Sequence, residues 1–333
     1  MSKLNAISYL DGIYAPVADE LAVDALKVEG ELPRDLRGMY VQNNPNPRFT
    51  PEGRYHWFDG DGMVHGVCIA DGRASYTNRY VQTDALARDE AAGAANWRGI
   101  MEPIDTSHPG GPDKDTANTD LTWHNGKLIA TWWLGGQAVE LNVPQLETVG
   151  VAPFMSKLSC GVASHPKVDP RTGDLVFFDY SPYQAPYLHY GVVSGDGERV
   201  HVAPIHVPGP RLFHDLAITE KYSILLDLPM TWDPAAVKAG WRKVDFDRSL
   251  PSRFGVLPRF GNDADIRWFE TPPCYIYHTI NAWEEVDARG HERIIMTACR
   301  IENPIPTCPQ RDEPHVPRLS FLRLGPYLTR WVF

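Results

Sequence analysis

Three of the chain's twelve histidines stand in surroundings that suit metal chemistry. His165 lies in GVASHPKVDPRTGD, where Pro166 disfavours helix at the histidine itself. His214 lies in RLFHDLAITEKYSILLDLP, just ahead of a long apolar segment, and His278 closes the aromatic run PPCYIYH. They lie 49 residues (165 to 214) and 64 residues (214 to 278) apart, too far for one helix or one hairpin. Such spacing predicts one histidine offered by each of three successive repeats toward a common axis. Neutral imidazoles without thiolate or carboxylate suit Fe(II), Zn or Cu, and leave positions for oxygen or substrate. The remaining histidines read differently. His56 and His65 flank FDGDGM and look structural, set by a tight glycine-rich turn, while His189, His201, His206 and His291 sit in or beside polar strands and turns.

Elements that could position the three rings are short strands. Val64–Ala70, the turn ADGR and Ala74–Val81 make one strand–turn–strand unit. Lys127–Trp133 follows HNGK and leads through Gly135 and Gly136 into Ala138–Val143. Asp174–Tyr180 follows DPRTGD, and Gly191–Val193 leads through SGDG to Arg199–Val202. Strand, Gly/Asp turn, strand is the hairpin pattern. Its recurrence at intervals of about 40–50 residues predicts an all-β chain of β-propeller type rather than a sandwich. Two segments, Asp84–Ala95 and Asp233–Val244, read as short helices in loops, the second opening with the Asp-Pro start signal. No linker or low-complexity stretch divides the sequence, so residues 1–333 read as a single domain.

Composition narrows the function classes. With 333 residues, 43% hydrophobic and 22% charged, the chain has a soluble globular make-up with room for a large core. A net charge of -10 and no basic stripe argue against a nucleic-acid partner. Five scattered cysteines (68, 160, 274, 299 and 308) without CxxC spacing predict reduced thiols in a cytoplasmic protein. The N-terminus has no apolar core of signal-peptide length, and no run approaches a transmembrane helix. Peripheral membrane contact stays open, since an apolar substrate could require it. Oligomeric state is not fixed by the sequence.

Longer motifs carry a family resemblance. NNPNPRFTPEGRYHWFDGDGMVHGV (Asn43–Val67), ANTDLTWHNGKLIA (Ala117–Ala130), ASHPKVDPRTGDLVFFDYS (Ala163–Ser181), FHDLAITEKY (Phe213–Tyr222), SRFGVLPR (Ser252–Arg259) and YHTINAWEE (Tyr277–Glu285) occur in the order found in the carotenoid cleavage oxygenases. That family also includes retinal-forming, apocarotenoid and lignostilbene enzymes, and the likeness runs from about residue 30 to about residue 320. The resemblance implies a seven-bladed propeller with a helical cap, whose axis holds Fe(II) on four histidines steadied by glutamates. By position, His165, His214 and His278 resemble the first three ligands. It also implies a dioxygenase that uses O2 to split a C=C bond of an apolar polyene or stilbene into two carbonyl products.

The chain departs from the family pattern in places. The fourth histidine and two of the supporting glutamates belong to a C-terminal region without a counterpart here, so about five blades of an incomplete propeller are expected. His315, in DEPHVPR, is the one positional substitute and reads as an exposed loop residue beside Asp312 and Glu313. Trp133 stands where the first supporting glutamate is expected, with Glu140 seven residues on. Asn44 replaces a glycine, a mild change because Asn tolerates left-handed backbone. Lignostilbene-type members carry a lysine where Trp132 stands, which tilts the expected substrate toward a carotenoid or apocarotenoid. The alternative is an inactive, truncated propeller acting as a binding protein, separable by iron content. A zinc hydrolase ranks last, because no general base is recognisable beside the ligands.

Overall fold

The computed structural model describes residues 10–304 and 324–333. His315 and Cys308 lie outside them. The described chain is built almost wholly of antiparallel strands, each sheet formed from one continuous stretch of sequence. Two compact units result, Gly12–Ser164 and His165–Phe333.

The Gly12–Ser164 unit holds two four-stranded sheets. The first combines Ala22–Val23, Gly38–Asn46, Asp61–Ala70 and Arg73–Tyr80; the second combines Asp120–His124, Lys127–Thr131, Val139–Leu141 and Thr148–Val151. The turns that reverse the chain are those the sequence marks. Asp71 and Gly72 have φ of 52° and 74°, and Asn125 and Gly126 have 47° and 74°. Two consecutive positive φ values match the right-handed strand twist, which is why Asp-Gly and Asn-Gly stand there. Val64, Leu128, Ala130, Val139 and Leu141 pack a shared core.

The His165–Phe333 unit holds three larger sheets and one two-stranded sheet. Lys167–Val168, Leu175–Tyr180, Leu188–Val193 and Val200–Ile205 pair in sequence order. Leu216–Ile218, Tyr222–Asp227, Ser252–Pro258 and Arg267–Thr271 do the same, with the hairpin Met230–Trp232/Val244–Phe246 inserted between the second and third. Thr279–Val286, Glu292–Ile301 and Pro326–Val332 form the last. Central strands such as LVFFDY are buried at nearly every position, because side chains on both faces meet neighbours. Leu226, Met230, Phe254, Tyr275 and Met296 belong to a core shared by the last two sheets.

Both expected helices exist but are shorter. The first spans Asp84–Ala92, capped by the Thr83 side chain, which accepts from the Leu86 N–H at 3.1 Å. Gly93, at φ 68°, adopts the left-handed conformation that stops a helix before residue 95. The second spans Pro234–Lys238 only. Gly240, at φ 83°, breaks it, and Val244–Phe246 becomes a strand against Met230–Trp232 instead of the helix end. The start signals were sound in both; tertiary pairing set the ends.

Among the described residues, Cys68, Cys160, Cys274 and Cys299 form no disulfide. No described helix is long and apolar enough to cross a membrane.

Candidate metal centre

His165, His214 and His278 are gathered by the same device in three consecutive sheets. Each precedes, by one or two residues, the strand that opens its sheet and forms that sheet's edge: Lys167–Val168, Leu216–Ile218 and Thr279–Val286. His165 has φ 66°, a left-handed backbone that costs an L-residue roughly 1–2 kcal/mol. Strain of this kind concentrates where a side chain must be aimed against local preference.

Ring centroids are 4.9 Å apart for His165–His214, 4.6 Å for His165–His278 and 5.0 Å for His214–His278. One nitrogen from each ring lies within 4.8 Å of the others. His165 and His214 are half-buried, and His278 is exposed. Burial first, then the two neighbouring rings and Lys167, hold the His214 imidazole well below its ordinary pKa. A neutral ring keeps the lone pair that a metal needs. Three convergent imidazole donors at this spacing fit a borderline divalent ion with positions to spare.

Neighbouring contacts hold these segments in place. Tyr277 meets His214 edge-on at 5.6 Å. The Tyr275 hydroxyl donates to the Leu212 carbonyl at 3.0 Å, anchoring the chain just ahead of His214. Asp169, in the turn after His165, pairs at 2.9 Å with Arg259 of the next sheet. Burial alone would raise the Asp169 carboxyl, but the Arg171 N–H and the Arg259 guanidinium hold it below its ordinary pKa.

The remaining singled-out residues take structural places. The His56 Nδ1 accepts from the Phe58 N–H and caps the short helix Trp57–Asp59. His65 contacts the Tyr76 hydroxyl at 2.7 Å. Trp132 and Trp133 meet edge-on at 5.8 Å, and the Trp133 N–H donates to Thr119 Oγ1. Glu140 lies in Val139–Leu141, where burial raises its carboxyl against the pull of Lys127. Asn44 lies in the extended strand Gly38–Asn46, so its tolerance of left-handed backbone is not used.

Asp215, Lys167 and Thr279 escape a reading at motif level. Asp215 is almost fully buried, and its carboxylate meets the Lys167 ammonium at 2.6 Å. Its signal was the acid directly after the histidine in FHD, an ionisable residue facing a run of apolar ones.

The sequence profile described as retinal pigment epithelial membrane protein matches residues 14–333. The chain belongs to this family. Its relatives are carotenoid cleavage dioxygenases. The Arabidopsis thaliana protein named carotenoid 9,10(9',10')-cleavage dioxygenase 1 is 41% identical over 323 residues, covering 90% of this chain and 58% of that one. The Mycobacterium tuberculosis carotenoid cleavage oxygenase is 33% identical over 340 residues, covering 88% and 64%. The retinal pigment epithelial membrane protein family member described here thus spans about three-fifths of the length of the curated relatives it matches. Among solved structures, Pseudomonas brassicacearum lignostilbene dioxygenase superposes with a TM-score of 0.81 at 31% identity, covering 98% of this chain and 68% of that one. Cobalt-substituted Synechocystis apocarotenoid oxygenase gives 0.74 at 25% identity, covering 96% and 68%.

Proposed function

We propose that the chain holds Fe(II) on His165, His214 and His278 and serves as a dioxygenase that splits a C=C bond of a carotenoid or apocarotenoid. The observation that carries this reading is the convergence of three imidazole donors within 4.8 Å in a member of a dioxygenase family. Support for a metal comes also from the cobalt-substituted form of a structural neighbour. The three larger sheets of the His165–Phe333 unit, each a meander that brings one histidine to the entry of its first strand, suit consecutive blades of a propeller.

Bound iron would supply O2 activation beside the double bond. The reaction balances without an outside reductant: the C=C bond breaks, and each carbon ends as a carbonyl carrying one oxygen atom. The chain's own contribution is to aim three imidazole rings from strand ends. Trp132 and the carotenoid-cleaving relatives favour an apolar polyene over a phenolic stilbene. Such a substrate would reach the protein through micelles or contact with a membrane surface.

The test is to load the purified chain anaerobically with Fe(II) and add an apocarotenal in micelles under 18O2. A hydroxystilbene runs in parallel. Two labelled carbonyl fragments from the apocarotenal are expected. Stoichiometric iron without any carbonyl release would overturn the catalytic reading, and failure to retain iron would overturn the metal reading as well.

A further inference from the structure

We infer that Asp215 is the positioning residue of the three-histidine centre, because one buried carboxylate ties together the backbone segments that carry all three rings. The inference rests on the metal reading above. Asp215 follows His214 directly and is 3% exposed. Its Oδ2 accepts from the backbone N–H of Thr279, the residue after His278, at 2.7 Å. The Thr279 hydroxyl stands 3.0 Å from the same oxygen and 3.1 Å from the Leu216 carbonyl, and its single proton serves one of them at a time. Oδ1 meets the ammonium of Lys167, two residues after His165, at 2.6 Å. A carboxylate oxygen also accepts from the Leu216 N–H at 2.8 Å.

These contacts use most of what a carboxylate can accept, about four lone-pair sites over two oxygens. Each histidine therefore lies within two residues of a group held by Asp215. Sequence proximity alone would not achieve this, since Thr279 is 64 residues from Asp215. A metal site needs its donors fixed to a fraction of an ångström, and the groups behind the ligands supply that. Partners usually act on a ring nitrogen. Here the support acts one step further back, on the strand entries from which the rings project.

Charge argues for geometry over field. Imidazole donors bring no negative charge to a divalent ion, so a nearby carboxylate could act by attraction. The Lys167 ammonium, 2.6 Å from that carboxylate, offsets its charge, so Asp215 supplies little net attraction to a cation. What remains is a fastening of three sheet edges at one point.

Cobalt(II) is the probe, since its visible absorption reports coordination geometry without turnover. Co(II) titrations of the full chain compare wild type, Asp215→Asn and Tyr190→Phe. Tyr190 is a fair control because its hydroxyl donates to the Arg259 carbonyl at 2.7 Å and lies 2.8 Å from Ser223 Oγ, fully buried in the same unit. Asp215→Asn is expected to weaken Co(II) binding by about tenfold to a hundredfold and to shift the absorption bands. Tyr190→Phe is expected to lower Tm while leaving both readouts at wild-type values. Thr279→Val, which keeps the backbone N–H, gives a milder change in the same direction and serves if Asp215→Asn does not fold. Wild-type affinity and spectrum in both Asp215→Asn and Thr279→Val, or an equal loss in Tyr190→Phe, would overturn the inference while leaving the metal reading intact. A wild-type chain that binds no Co(II) overturns both.

Discussion

The backbone N–H of Thr279 donates to the Asp215 carboxylate at 2.7 Å across 64 residues of sequence. That bond joins the entry of the fourth sheet to the entry of the fifth, beside two of the three clustered histidines. The centre is thus held by contacts between sheets more than by any one loop.

Replacing any one of His165, His214 or His278 by Ala removes one of the three proposed donors. Metal retained after desalting should fall by at least about tenfold, a loss as large as that seen when groups behind the ligands are removed. Metal analysis of each variant reads this directly. Chelator treatment of the loaded wild type should lower its Tm, because an ion that binds only the folded state stabilises it.

Arg259→Met leaves Asp169 buried without its partner. Both side chains are less than a tenth exposed, so the loss should reach about 3–5 kcal/mol in urea denaturation. Arg171→Met removes the exposed Arg171–Glu220 pair at 2.8 Å and should cost about 1 kcal/mol or less. Equal effects would contradict this assignment.

Gly62→Ala should destabilise by about 1–3 kcal/mol through overpacking. A Cβ at Gly62 would lie 2.7 Å from the Ala117 carbonyl oxygen and 2.9 Å from that of Thr116, and neither backbone group can swing away. Chemical denaturation of the variant measures the effect. The Gly62 N–H already donates to the Thr116 carbonyl at 2.9 Å, which fixes the approach.

Stability should depend on His56 in mildly acid solution. Burial pushes its pKa down to about 4 from an ordinary 6.5, and its Nδ1 must be unprotonated to accept from Phe58. The unfolded chain takes up the proton first, so this contribution is whole above pH 6.5 and is lost as pH falls toward 4. His56→Asn keeps an acceptor that does not titrate. Its Tm should fall less between pH 7 and pH 5 than that of the wild type.

How much of this was legible in sequence follows from the range of each signal. Asp71-Gly72 and Asn125-Gly126 announced their hairpins because positive φ is a local demand. His165, His214 and His278 stood out because each closes or interrupts an apolar segment just before a strand. The helices end at residues 92 and 238, short of the sequence expectation, since a left-handed glycine and a strand partner decide them. Asp215 could not be read as a hub at all. Its role exists only once Lys167 and Thr279 arrive from other sheets, and no spacing within FHD encodes that meeting.

The placement of one histidine at the mouth of each of three successive sheets also sets a timetable. Closing spans of 49 and 64 residues (165 to 214, 214 to 278) carries an entropic cost that no local contact offsets early. The three rings therefore meet only when the last of these sheets has docked. An ion offered during refolding would find nothing to bind until then, and would leave the rate of folding unchanged while slowing escape from the folded state. Cobalt colour during refolding would mark the moment at which the three rings meet.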